Sequence, residues 1–480
     1  MSIPKRHAIL LCLLSLALVA PIAMPLLAET DDPHQLQNQM ETQPPIRCID
    51  ASGEPPSMAG KDPVLTGSLS MQDRDNATVR IEFDRVSNYS VGQGELQLQF
   101  VKFSTVSASS GFENTGSGRY NWDKGRNAWI EYRTQNVSNE VFSVNLTTQD
   151  PTQTIIPLPD YGGRIPFAFQ AAEDGYVGSR FAYLGEYETA STTIGCQEIR
   201  MVVPEDTTIP APPAEIVQTL AETARRVPVG HAYEKVRVFV SPSSIGTPEG
   251  FVRSRDFEKD GGPEIVIEHD APYNGPEEFA WRHEYIHTRQ NFDVQSDLQW
   301  VREASANYMA YRTALDSGVI TPREYDGILA ERHQARFSDR LATNATGQVA
   351  YQWGPIVLSR VDERLRSASN RTVVDTFGWL NTESTNHGDV SLAKFDNRTR
   401  GGGPEGIRSD DEFNLTAATY GTPPKPAYML GPNWLPGFIR KLWLPANQYL
   451  LWLGYGLVAL LWGATLEDVY GRNQSEDEQE

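Results

Sequence analysis

The feature that most constrains this chain is a single change of hydrophobic period near Pro204. From 63 to 204 the apolar residues fall in short alternating runs, ATVRIEF, GELQLQFVKF, NAWIEYRT, EVFSVNLT and EIRMVVP, separated by Gly, Asn, Asp and Ser. A period of two over such lengths is the mark of half-buried strands, and it predicts an all-β, sandwich-like module. After the linker TTIPAPPAE, AEIVQTLAETARRV takes up helical spacing, KVRVFVS and PEIVIEH read as strands, and the chain to about 400 is mainly helical. The unit 205–400 is therefore expected to be α+β. A length of 480 residues also exceeds what one core usually organises, so a multi-domain protein is expected.

The helical unit contains NGPEEFAWRHEYIHTRQNF. Pro276 suits the first turn of a helix, Glu277 and Glu278 suit its positive end, and His283, Glu284 and His287 follow without a breaker. A helix turns once in about 3.6 residues, so His283 and His287 project from one face and can share a zinc ion. Glu284 then points to where a reacting water would sit, in the role of general base. In the next helix, SDLQWVREASANYMAYR, Glu303 lies beside the small residues Ala304, Ser305 and Ala306, which permit close helix packing, and it is the expected third ligand. Two histidines and a carboxylate leave one zinc position open, the arrangement of a catalytic site. Asn307, one turn after Glu303, is a candidate to orient a ligand histidine, with plain surface solvation as the alternative.

HEYIH followed by WVREASANY resembles the gluzincin metallopeptidases, whose signature is HExxH with a downstream Glu, and within them the aminopeptidase N branch. The resemblance spans roughly residues 200 to 380. It implies a thermolysin-like catalytic domain, a Zn2+ cofactor and a peptide or protein substrate. AYQWGPIVLSRVDERL is similar to that branch's tyrosine segment, which implies that Tyr351 donates a hydrogen bond to the oxyanion; a packed core tyrosine is the other reading. His387, in TNHGDVS, competes for the same duty, because thermolysin-like members use a histidine there. The sequence departs from the family in three places. Only fifteen residues separate His287 from Glu303, Trp353 stands where a lysine is usual, and no G-x-M-E-N strand precedes the HExxH helix. PEIVIEHDAP takes that strand's place, with Glu268 as a loose substitute for the amine-binding glutamate and with its edge expected to align an extended peptide.

Several features concern where the chain works. Lys5, Arg6 and His7 precede an apolar stretch from Ala8 to Ala28, so 1–28 reads as a signal peptide or signal anchor. Residues 29–62 are polar and Pro-rich, a flexible tether, and 401–441 read as an irregular linker. The uncharged segment 442–466 is long enough to cross about 30 Å of hydrocarbon, which predicts a C-terminal transmembrane helix followed by the acidic tail 467–480. The expected location is the cell membrane, with the catalytic domain extracellular. Cys12 falls in the signal, leaving Cys48 and Cys196 either as a disulfide or as two free thiols. Nine sequons, at Asn76, Asn88, Asn136, Asn145, Asn344, Asn370, Asn397, Asn414 and Asn473, point to a glycosylated, exported surface. The net charge of −20 argues against nucleic-acid partners and suits a salt-loving source, an ordinary acidic extracellular protein being the alternative. The rival to a peptidase is a glycosylated surface-binding protein with a vestigial or structural zinc site.

Overall fold

The structure is a computed structural model that describes most of 65–400, together with 48–49 and 415–420. The chain divides into two compact units, Met1–Pro45 and Ile46–Glu480, and everything described below belongs to the second.

Strand Thr78–Arg85 shows how the β module forms: Val79, Ile81 and Phe83 point inward while the residues between them stay at least partly exposed. It lies at the centre of a five-stranded sheet ordered 167–171, 65–73, 78–85, 128–134, 104–110. A four-stranded sheet ordered 160–163, 96–99, 119–122, 112–116 shares the same core, in which Leu69, Ile81, Leu98, Ile130 and Tyr132 are wholly buried. Two sheets around one core are the sandwich-like arrangement expected from the alternation.

The second five-stranded sheet runs 187–194, 197–204, 235–241, 264–268, 250–253. The first two strands form a hairpin through Gly195, whose φ of 59° is the left-handed conformation tight turns require. The next two add in parallel and the last antiparallel. The sheet thus draws 187–204 from before the expected boundary at Pro204, so the hairpin belongs with the helical unit. Strand 264–268 is also interior, because 250–253 covers the side on which a peptide was expected to bind. Its burial on both faces, all five residues, explains the continuous apolar run that hid its position.

Helix α1 (Pro213–Arg226) starts on a proline and buries Ile216, Val217, Leu220, Ala221 and Ala224 against Val236, Val238, Ile265 and Ile267 of this sheet. Helix α2 (Ala280–His287) follows strand 264–268 and adds Trp281 and Tyr285 to the same core. Its Ile286 instead enters a second core built by α3 (Val301–Asp316), α4 (Pro322–Gln334), α5 (Gln348–Ser369), α6 (Val373–His387), α7 (Leu392–Thr399) and α8 (Leu415–Tyr420). Wedged between two cores, α2 is held by both, which leaves its remaining face for polar side chains. The helix begins at Ala280 rather than near Pro276, and 275–278 lie outside the described residues.

Among the described residues no helix is long and apolar enough to cross a membrane. The expected transmembrane helix is therefore not among the described elements. The longest described helix, α5, spans 22 residues but carries Arg360, Asp362, Glu363, Arg364 and Arg366, so its apolar side chains fill a protein core instead. The segment 442–466 lies outside the described residues, as do 1–28, most of 29–62 and the tail 467–480. Cys196 is disulfide-bonded. Strand Cys48–Ile49 pairs with Ala232–Tyr233, and Gln197 Nε2 donates to the Tyr233 carbonyl at 2.8 Å, which brings both expected partners to one corner.

Candidate metal centre

Helices α2 and α3 bring three side chains together. His283 and His287, four residues apart, present their Nε2 atoms 2.9 Å from each other. Glu303 Oε2 lies 3.4 Å from the first and 3.2 Å from the second. All three ligand-type atoms fall within 4.8 Å, the one such group among the described residues. Glu303 Oε2 is buried with no hydrogen-bond partner, although two imidazole nitrogens stand beside it. A carboxylate oxygen desolvated in this way fits a cation better than any protein donor on offer.

Charge follows the geometry. Burial disfavours a cation at His287, but the Glu303 carboxylate more than offsets it and the imidazole is pushed up to about 9. Burial likewise opposes the charge on Glu303, and the two imidazoles nevertheless hold it well below the usual carboxylate range. Glu284 is different. It is 5% exposed, its Oε2 has no hydrogen-bond partner, and burial pushes its carboxyl up despite the neighbouring histidines.

Each histidine has an amide on its other nitrogen. Asn307 Oδ1 lies 3.0 Å from His283 Nδ1, so the candidate orienting residue is in contact with a candidate ligand. Gln290 Oε1 lies 2.9 Å from His287 Nδ1, and its Nε2 donates to the Arg302 carbonyl at 2.8 Å and to Ser305 Oγ at 2.7 Å. Gln290 follows the short turn after α2 and ties it to α3, offsetting the short connection between them. Only its place three residues after His287 marks it in the sequence.

Tyr351, on α5, stacks on the His283 ring with centroids 5.6 Å apart and planes at 18°. Burial and the neighbouring Glu303 carboxylate push the phenol far above its usual range, so it remains a donor. Its approach depends on Gly354, where an added Cβ would lie 2.3 Å from Ala304 Cβ. Ala304 is thus small for the sake of α5. Replacing a helical Gly by Ala would ordinarily stabilise by about 1 kcal/mol. Here overpacking, roughly 1–3 kcal/mol, outweighs that gain at so close an approach, and Gly354→Ala is expected to lower the urea midpoint by an amount equivalent to up to about 2 kcal/mol with the slope unchanged.

Not every expected residue reaches the centre. His387 ends α6 with its side chain 62% exposed and pairs with Glu383 on the same helix, outside the cluster of His283, His287 and Glu303. Glu268 accepts from Ser244 Oγ at 2.8 Å and from the Ile245 N–H at 2.6 Å, so it holds a loop rather than standing free for an amine. Trp353 packs in the helical core. Conversely, Gly250 escaped notice: a Cβ there would lie 2.8 Å from Glu284 Cγ, so the edge strand Gly250–Arg253 passes directly beside Glu284.

No protein-family profile matches the chain, and no curated protein sequence does. Among solved structures it is similar to an aminopeptidase N family protein from Idiomarina loihiensis, at 10% identity and a TM-score of 0.47, over 75% of this chain and 76% of that one. It is also similar to an M1 zinc metallopeptidase from Deinococcus radiodurans, at 13% identity and a TM-score of 0.44, over 75% of this chain and 94% of that one. A variant of that enzyme bound to a Tyr-Ser-Ala substrate matches at 13% identity and 0.43, over 79% of this chain and 100% of that one. These are general likenesses, and the chemistry of the site rests on its own residues.

Proposed function

We propose that the chain is a zinc metallopeptidase that hydrolyses peptide bonds. The observation that carries this reading is the convergence of His283 Nε2, His287 Nε2 and Glu303 Oε2 within 4.8 Å, beside a buried glutamate. Two imidazoles and one carboxylate are a zinc donor set that leaves room for a fourth ligand. Zinc held there supplies Lewis acidity toward a water and a substrate carbonyl.

The chain's own residues do the rest. As the water oxygen attacks the carbonyl carbon, Glu284 takes the water's proton, and it passes that proton to the amine nitrogen as the C–N bond breaks. The burial that raises its proton affinity suits it to hold the proton between the two steps. The Tyr351 hydroxyl donates to the oxygen on which negative charge develops. An extended peptide adds to the edge strand Gly250–Arg253 by backbone hydrogen bonds, and glycine at 250 keeps Glu284 uncrowded.

We place this activity outside the membrane that the leader 1–28 directs the chain across. The charged-then-apolar order of that leader and the disulfide at Cys196 both support an oxidising, exported setting. The test is elemental analysis for zinc together with digestion of a peptide library at high salt. About one zinc per chain and cleavage that stops on chelation are expected. Zinc with no cleavage of any peptide would favour the surface-binding protein, and no zinc would remove the ligand assignment.

A further inference from the structure

Helix α5 carries Pro355 in its interior. In an α-helix the N–H of each residue donates to the carbonyl four residues earlier, and proline has no N–H. The carbonyl that loses its donor at Pro355 is that of Tyr351. It accepts instead from Asn307 Nδ2 at 3.2 Å and from Arg332 Nη1 at 3.3 Å. Those two donors use both lone pairs of the oxygen.

A carbonyl can only accept, so the Asn307 amide must turn its NH2 toward Tyr351, and its Oδ1 then faces His283 Nδ1. An amide oxygen can only accept in its turn, so Nδ1 carries the proton and Nε2 keeps its lone pair for a metal. We propose that Pro355 is a positioning residue: by leaving the Tyr351 carbonyl without its helical donor, it orients the Asn307 amide and so sets the tautomer and direction of the His283 ligand. The same bond joins the ligand histidine to the backbone of the tyrosine stacked on it. Gln290 repeats the logic at His287 with the Arg302 carbonyl, but there no proline is needed.

The proposal rests on the zinc reading above. Its test is the zinc dissociation constant of the full chain, measured by competition with a chelating dye, and the visible spectrum of the cobalt-loaded protein. Pro355→Ala restores an N–H that competes for the Tyr351 carbonyl. It is expected to weaken zinc binding by about tenfold or more and to alter the cobalt bands, while thermal stability stays level or rises. Asn307→Leu, which keeps the branching and the heavy-atom count and removes the amide, is expected to weaken zinc about 10- to 100-fold, and it carries the test should Pro355→Ala fold poorly. The double variant should be little worse than Asn307→Leu, because both changes act through one bond. Wild-type zinc affinity and cobalt bands in both single variants, or full additivity in the double, overturn the relay while leaving the zinc site standing. A wild-type chain that takes up no zinc overturns both.

Discussion

Replacing Glu284 by Gln is expected to lower kcat by about 10²- to 10⁴-fold while zinc stays bound at the wild-type level. The amide has the shape of the carboxylate but cannot take a proton from water. Glu284 is not one of the three convergent ligand residues, so the metal has no reason to leave. Stability should hold or improve, because burial already works against a charge at this position and one carboxylate oxygen has no hydrogen-bond partner among the described residues. An active site that is easier to fold once disabled is a common pattern. The measurement is kcat on a peptide cut by the wild type, alongside zinc content and a thermal melt. Turnover within a factor of ten of wild type at equal zinc content would remove Glu284 from the mechanism.

The largest effect on folding is expected at Glu264, far from any role in turnover. Its carboxylate is wholly buried and accepts from the backbone N–H groups of Ser179 at 2.6 Å, Arg180 at 2.9 Å and Phe181 at 2.8 Å. It also accepts from Ser179 Oγ at 3.0 Å and pairs with Arg237 at 3.3 Å. The loop it grips leads into strand Phe181–Leu184, whose Phe181 and Tyr183 pack with Val202, Phe239 and Val266 of the second sheet. One side chain therefore fastens the small β segments to the sheet beneath the metal centre. Glu264→Ala would strand the three N–H groups and leave Arg237 without this carboxylate, a loss of about 3–5 kcal/mol. Denaturant unfolding at neutral pH reads it directly. A loss below about 1 kcal/mol would mean that water replaces the carboxylate without penalty and that the grip is dispensable.

The two periodicities of the sequence were enough to separate the amphipathic strands from the helices, because each rests on local geometry. The HExxH spacing was enough to place two histidines on one helical face, and the small residues around Glu303 marked a close helix approach. The partner in that approach was another matter. Ala304 meets Gly354 on α5, while Ser305 serves Gln290, and neither pairing has a local signature. Glu264 and Glu268 look alike at the two ends of one strand, yet one fastens three backbone N–H groups and the other a loop.

What the sequence alone determined about this protein is its order of elements and its reactive residue types, since these depend on period, spacing and side-chain chemistry within a few turns. What only the tertiary structure decided is which strand lies at the sheet edge, which amides reach the histidines and which helix delivers the tyrosine. Those relations join residues such as Gly250 and Glu284, or Asn307 and Tyr351, that are far apart along the chain. They arise from packing two cores around α2, a constraint with no repeat length and so no trace in the local pattern.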